Sequence, residues 1–144
     1  MKPEEKLGEI LRKRGLTIAV AESCTGGLLG SRITDVPGSS DYFRGGVIAY
    51  QNDMKEALLG VPGTVLATVG AVSEETARAM AHGVRVLLKS DIGVGITGIA
   101  GPGGGTPDKP VGLVYIGVEG PHGAQCRRFR WSGTRVENLS LIHI

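Results

Sequence analysis

Apolar positions along this chain recur with two spacings, helical and strand-like, and the alternation between them predicts an α/β arrangement. Leu7, Ile10 and Leu11 form one stripe within residues 3–14, with Pro3 in the first turn and Lys13-Arg14 at the end. That pattern predicts a helix, which Gly15 is placed to terminate. Residues 17–21 are a short apolar run, read as a buried strand. Leu28, Leu29 and Ile33 return to helical spacing, in a helix expected to open at Glu22-Ser23-Cys24 and to run to about Thr34. Asp35-Val36-Pro37-Gly38 closes it, because proline and the residue before it resist helical backbone.

Residues 39–43 read as a short capped turn and 45–50 as a second strand. Asn52 is placed to cap a helix over 53–59, with Gly60 and Pro62 as stop signals. A loop or short helix fills 62–72. Ser73 then caps the most regular helix, in which Ala77, Met80, Ala81, Val84 and Leu88 keep the helical period. Residues 92–97 read as a third strand, and 111–118 and 124–131 as two more joined at hairpin length by Gly120-Pro121-His122-Gly123. Helices alternating with the first three strands predict a mostly parallel sheet covered on both faces, made mixed by the antiparallel final pair.

A length of 144 residues fits one domain with a single sizeable core. Glycine changes the picture: 24 glycines against six Phe, Trp and Tyr imply many tight turns and small-residue contacts. The net charge of +2 gives no reason to expect nucleic acid or an anionic membrane as partner. Arg127, Arg128 and Arg130 read as a solvated strand face. Cys24 and Cys126 make neither a CxxC pair nor a disulfide framework, and His82, His122 and His143 are not at metal-ligand spacing. No run approaches a membrane span, and the charged N-terminal segment is unlike a signal peptide, so a cytoplasmic protein without a structural metal is expected.

Two stretches are placed to carry chemistry. Ser23 stands where the first strand gives way to a helix, and amides of a first helical turn can hold a negative oxygen. The same serine reads equally as a plain N-cap. A serine nucleophile needs a base, and neither GxSxG nor SxxK occurs. Lys55, at a second strand-to-helix junction behind Tyr50, can serve if burial lowers its pKa; otherwise it is a solvated helix lysine. Cys24 reads as a small buried residue, although a thiolate at a helix start is reactive. Gly93-Val94-Gly95-Ile96-Thr97-Gly98 matches GxGxxG, but its glycines lie inside a predicted strand rather than in the turn after one, so the dinucleotide reading is rejected. The glycine-rich run 98–106 can surround a phosphate or ribose with backbone amides, or act as a lid or a surface turn.

AESCTGG at 21–27, GSS at 38–40, Tyr50-Gln51-Asn52 with Lys55 behind it, GAVSEET at 70–76 and GITGIAGPGGGTPDKPVG at 95–112 together closely resemble the CinA C-terminal domain family. The resemblance covers about residues 5–135. It implies a three-layer α/β/α sandwich with a mixed five-stranded sheet. That family includes stand-alone nicotinamide-nucleotide amidases, so it also implies hydrolysis of nicotinamide mononucleotide to nicotinate mononucleotide and ammonia in pyridine-nucleotide salvage. The alternative within the family is a catalytically silent nucleotide-binding module. The resemblance assigns the nucleophile to Ser23, with Lys55 and Tyr50 as its partners. Cys24, Thr25 and Gly26 are then the expected oxyanion donors. Substrate binding is expected of Ser40, Thr97, Gly98, Gly101, Gly103 and Arg135. No metal or organic cofactor is implied, the expected partner is the small nucleotide, and a homodimer is a family-level expectation.

After Arg135 the chain departs from the family pattern. Its last six residues, 139–144, look like a translated sequencing adaptor, which leads to the expectation of one domain over 1–138 followed by a non-native tail. With a C-terminal helix lost, Phe129 and Trp131 are expected to be partly exposed.

Overall fold

A computed structural model describes residues 1–130. Arg135, Trp131 and the boundary expected at 138 lie outside the described residues. The chain runs through α1 (Pro3–Arg14), β1 (Ile18–Glu22), α2 (Leu28–Thr34), a single 3-10 turn (Ser39–Asp41), β2 (Phe43–Ile48), α3 (Asn52–Leu59), α4 (Gly63–Thr68), α5 (Glu74–Leu88), β3 (Ile92–Gly98), β4 (Leu113–Gly120) and β5 (Gly123–Arg130). The five strands form one sheet in the order β2-β1-β3-β4-β5. β1 pairs in parallel with both β2 and β3, while β4 is antiparallel to β3 and to β5. Four strands thus point one way and β4 alone is reversed.

The helices divide between the two faces, which gives the expected three layers. Leu11, Ile33 and Tyr42 pack with Ile18, Val20, Val94, Ile96 and Val114 on the α1/α2 side. On the other side Leu59, Val61, Met80 and Val84 pack over Ala19, Ala21 and Ala49. Alternation along β3 shows what the rejected GxGxxG glycines do. Val94 and Ile96 face α1/α2, while Gly93 and Gly95 lie under α5. A Cβ on Gly93 or Gly95 would run into the Ala81 and Ala77 carbonyl oxygens, and one on Gly117 of β4 would stand 2.8 Å from the Ala77 oxygen. These glycines let the α5 backbone lie directly on the sheet.

The expected start of α2 shifts, and the open choice between loop and short helix at 62–72 is decided. α2 begins at Leu28 rather than at Ser23-Cys24, because Glu22 continues β1 and Gly26 and Gly27 adopt φ of 60° and 103°, outside helical backbone. The 62–72 stretch contains a real helix, α4. Ser73 caps α5 as expected, its hydroxyl oxygen accepting from the Thr76 N–H at 3.2 Å. On the α1/α2 side, Ile92, Val94, Ile116, Val118 and Phe129 line an open groove of about 1080 Å³, and Phe129 is half-buried.

Candidate active site

Parallel pairing decides which loops meet. Glu22 at the end of β1 is in register with Ile48 of β2 and Ile96 of β3. The residues that follow each strand therefore gather at one edge of the sheet. Ser23, Tyr50 with Lys55, and Thr97-Gly98 all belong to that edge, which is where open α/β sheets carry their ligand sites.

The turn holding Ser23 is organised by its neighbour, Glu22. This carboxylate is only 2% exposed, in a strand otherwise apolar. Its Oε1 accepts from the Thr25 hydroxyl at 2.5 Å, the Gly27 N–H at 3.2 Å and the Leu29 N–H at 3.0 Å. Its Oε2 accepts from the Gly30 N–H at 2.9 Å. The unpaired amides and positive end of the α2 dipole are thus met from inside the protein by a fixed anion. Hydrogen bonds to a charged group are worth about 1.5–3 kcal/mol each, enough to offset burying the carboxylate. The head of α2 is consequently not open to a phosphate. Of the three expected oxyanion donors, Gly26 has its N–H engaged with the Ser23 carbonyl at 3.1 Å, closing the turn. Ser23 itself is 7% exposed.

Lys55 is the other unusual group. α3 turns its side chain inward, leaving it 1% exposed, and its Nζ donates to the Tyr50 carbonyl oxygen at 2.7 Å. Burial pulls its pKa below the ordinary 10.5, offset in part by attraction to Cys24 in its thiolate form. The Tyr50 carbonyl that holds the amine follows Ala49, whose N–H donates to the Glu22 carbonyl at 2.9 Å, so the amine is tied to the segment bonded to the residue before Ser23. The solvated-lysine alternative is excluded by this burial. Tyr50 meets Lys55 through its main chain; its ring is 60% exposed at the rim.

The remaining expected residues separate. Thr97 is 1% exposed and donates its hydroxyl to the Ala71 carbonyl at 2.8 Å, tying β3 to the segment before α5. Gly98 pairs with Val114, and a Cβ there would meet the Leu113 oxygen at 2.8 Å, so ladder packing already requires glycine. Gly101 is buried with φ of 92°, whereas a Cβ on Gly103 would meet open space. The loop's base is held by Ile99 N–H to Leu113 O at 2.9 Å and Gly112 N–H to Ile99 O at 2.7 Å. Its far end is pinned by Lys109, whose Nζ donates to the Val69 carbonyl.

Ser40 is not brought to this edge. The 3-10 turn precedes β2, and β2 runs parallel to β1, so Ser40 is exposed at the opposite edge, near the start of β1. Arg135 lies outside the described residues. Glu22 and Lys109 were not singled out by sequence reasoning. Glu22 had a legible signal, an acid inside an otherwise apolar strand; Lys109 had none beyond its place after the glycine run. Among the described residues, no three His, Cys, Asp or Glu side chains come together as a metal would require, and no helix is long and apolar enough to cross a membrane.

A mixed α/β/α sheet domain with a buried lysine beside a serine turn defines the class. The chain belongs to the CinA C-terminal domain family, whose pattern it matches over residues 1–142. It is 62% identical over 117 residues to a CinA-like protein of Synechocystis, covering 81% of this chain and 28% of that protein. With a CinA-like protein of Desulfotalea psychrophila it shares 52% over 139 residues, 95% of this chain and 34% of the other. The chain spans about a third of the length of the curated relatives it matches. Among solved structures, the competence/damage inducible protein CihA of Agrobacterium tumefaciens superposes with a TM-score of 0.93 at 38% identity, over 97% of this chain and 87% of that one. A CinA superfamily protein of Escherichia coli gives 0.94 at 28% identity, over 97% and 81%.

Proposed function

We propose that this chain is an amidohydrolase that converts nicotinamide mononucleotide to nicotinate mononucleotide and ammonia in pyridine-nucleotide salvage, with Ser23 as nucleophile and Lys55 as base. The observation that carries this reading is Lys55: a buried amine with a lowered pKa, held by the Tyr50 carbonyl at the strand edge that also carries Ser23. Structural lysines are seldom buried without a carboxylate partner, and this one is held by a main-chain carbonyl.

Neutral Lys55 accepts the Ser23 hydroxyl proton as Oγ attacks the carboxamide carbon. Amides of the 24–25 segment stabilise the oxyanion. As the C–N bond breaks, the lysine ammonium returns its proton to the departing ammonia and leaves a nicotinoyl ester on Ser23. Water then adds to the ester, giving a proton to Lys55, and collapse returns that proton to the serine oxygen. The Tyr50 phenol, exposed beside this centre, faces the substrate and joins the proton path only once substrate covers it. The 98–106 loop holds the ribose-phosphate.

Purified protein incubated with nicotinamide mononucleotide tests the reading. Equal amounts of ammonia and nicotinate mononucleotide are expected. Binding of the nucleotide with no ammonia released would replace the enzyme by a silent nucleotide-binding module.

A further inference from the structure

We infer that Glu22 is a positioning residue that sets the nucleophile against its base, an inference that rests on the Ser23–Lys55 reading. Glu22 is tied on both sides of that pair. Its carboxylate gathers Thr25, Gly27, Leu29 and Gly30, so the chain after Ser23 is drawn back onto the residue before it. Its main-chain carbonyl accepts the Ala49 N–H at 2.9 Å, one residue ahead of Tyr50. The Tyr50 carbonyl in turn accepts from Lys55 Nζ. One residue thus joins the turn that carries the hydroxyl to the segment that holds the amine. Ser23 lies between two anchored points, the Glu22 carboxylate network and its own carbonyl bond to Gly26.

Attack needs the reacting atoms within about 3–3.5 Å and aligned, and displacements near 1 Å can cost about 100-fold in rate. A loosened turn therefore lowers kcat while leaving the nucleotide's own contacts, and hence KM, largely in place. A residue that only stabilised the fold would lower the melting temperature without changing kcat of the folded enzyme.

Four variants test this well below their melting temperatures. Glu22→Gln keeps the shape and one carbonyl acceptor, but its NH2 must face either the Gly30 N–H or the Gly27 and Leu29 N–H groups, donor against donor. Its kcat should fall about 10- to 100-fold with KM changed less than about threefold. Glu22→Asp, too short to reach all four donors, should not restore it. Thr25→Val removes only the hydroxyl donor and keeps the side-chain shape, so it remains informative if the Glu22 variants fail to fold. Its kcat should fall about 3- to 10-fold, and Thr25→Ser should recover it. Unchanged kcat in Glu22→Gln or Thr25→Val, or an equal rise in KM, overturns the positioning role. A wild-type chain that releases no ammonia instead overturns the amidase reading, so the two failures are distinct.

Discussion

A lysine buried for its chemistry weakens the fold that buries it, and Lys55 should show both effects. Its pKa is lowered by burial from an ordinary 10.5. The base is the neutral amine, so kcat/KM should rise with pH through an ionisation below 10.5 and fall as pH drops through it. Stability follows the same sign. Below the folded-state pKa the protein carries a buried ammonium; between that pKa and 10.5 the unfolded chain binds a proton that the folded chain does not. Lys55 therefore destabilises most at low pH, and this is relieved as pH rises toward 10.5. Lys55→Met should abolish turnover, and its melting temperature relative to wild type should be highest at low pH and decline as pH rises. A difference independent of pH would show that Lys55 is not desolvated in solution. Ser23→Ala should lower kcat by at least about a thousandfold while leaving nucleotide affinity within a few-fold. Retained turnover would move the nucleophile elsewhere, with Cys24 the first to test.

At the scale of elements, the glycines divide into those that packing requires and those it does not. Gly95→Ala places a Cβ 2.7 Å from the Ala81 backbone nitrogen on α5 and should destabilise by about 1–3 kcal/mol. Gly103→Ala meets nothing and should stay within about 0.5 kcal/mol. Urea denaturation of both variants decides it; equal effects would mean that close helix-on-sheet contact is not what Gly95 provides. The same division explains what was legible in the chain. The strands, α1 and α5 were readable because apolar spacing and caps such as Ser73 act over a few residues. Rejecting the GxGxxG reading was possible from its place in a strand, but the close approach of α5 that needs those glycines is a tertiary fact. The start of α2 was misplaced because Glu22 looks like a turn residue until its four donors are seen. Ser40 was expected at the site on the family resemblance alone, whereas parallel pairing carries it to the far edge. Lys55 was nameable as a base, but its burial depends on how α3 packs on α5 and over the β1 alanines.

Across the whole molecule, one edge of the sheet collects the serine turn, the buried lysine and the glycine loop, while the head of α2 is closed by Glu22. On the proposed reading the substrate phosphate is met elsewhere along that edge; among the described residues the 98–106 loop offers amides there, and the Lys109 ammonium keeps donors beyond its bond to the Val69 carbonyl. Nicotinamide riboside, which lacks the phosphate, should show kcat/KM about 10- to 100-fold below the mononucleotide, the worth of one or two charge-assisted hydrogen bonds. Equal efficiency would remove the phosphate role from this loop. The central claim is covalent catalysis by Ser23, and one measurement reaches it directly. Enzyme mixed with nicotinamide mononucleotide for a single turnover, quenched in acid and mapped by peptide mass spectrometry, should carry a nicotinoyl-nucleotide ester on the Ser23 peptide, formed together with a burst of ammonia. Ammonia released with the adduct on Cys24, or with rapid-quench sampling across the turnover showing none on Ser23, would contradict the account.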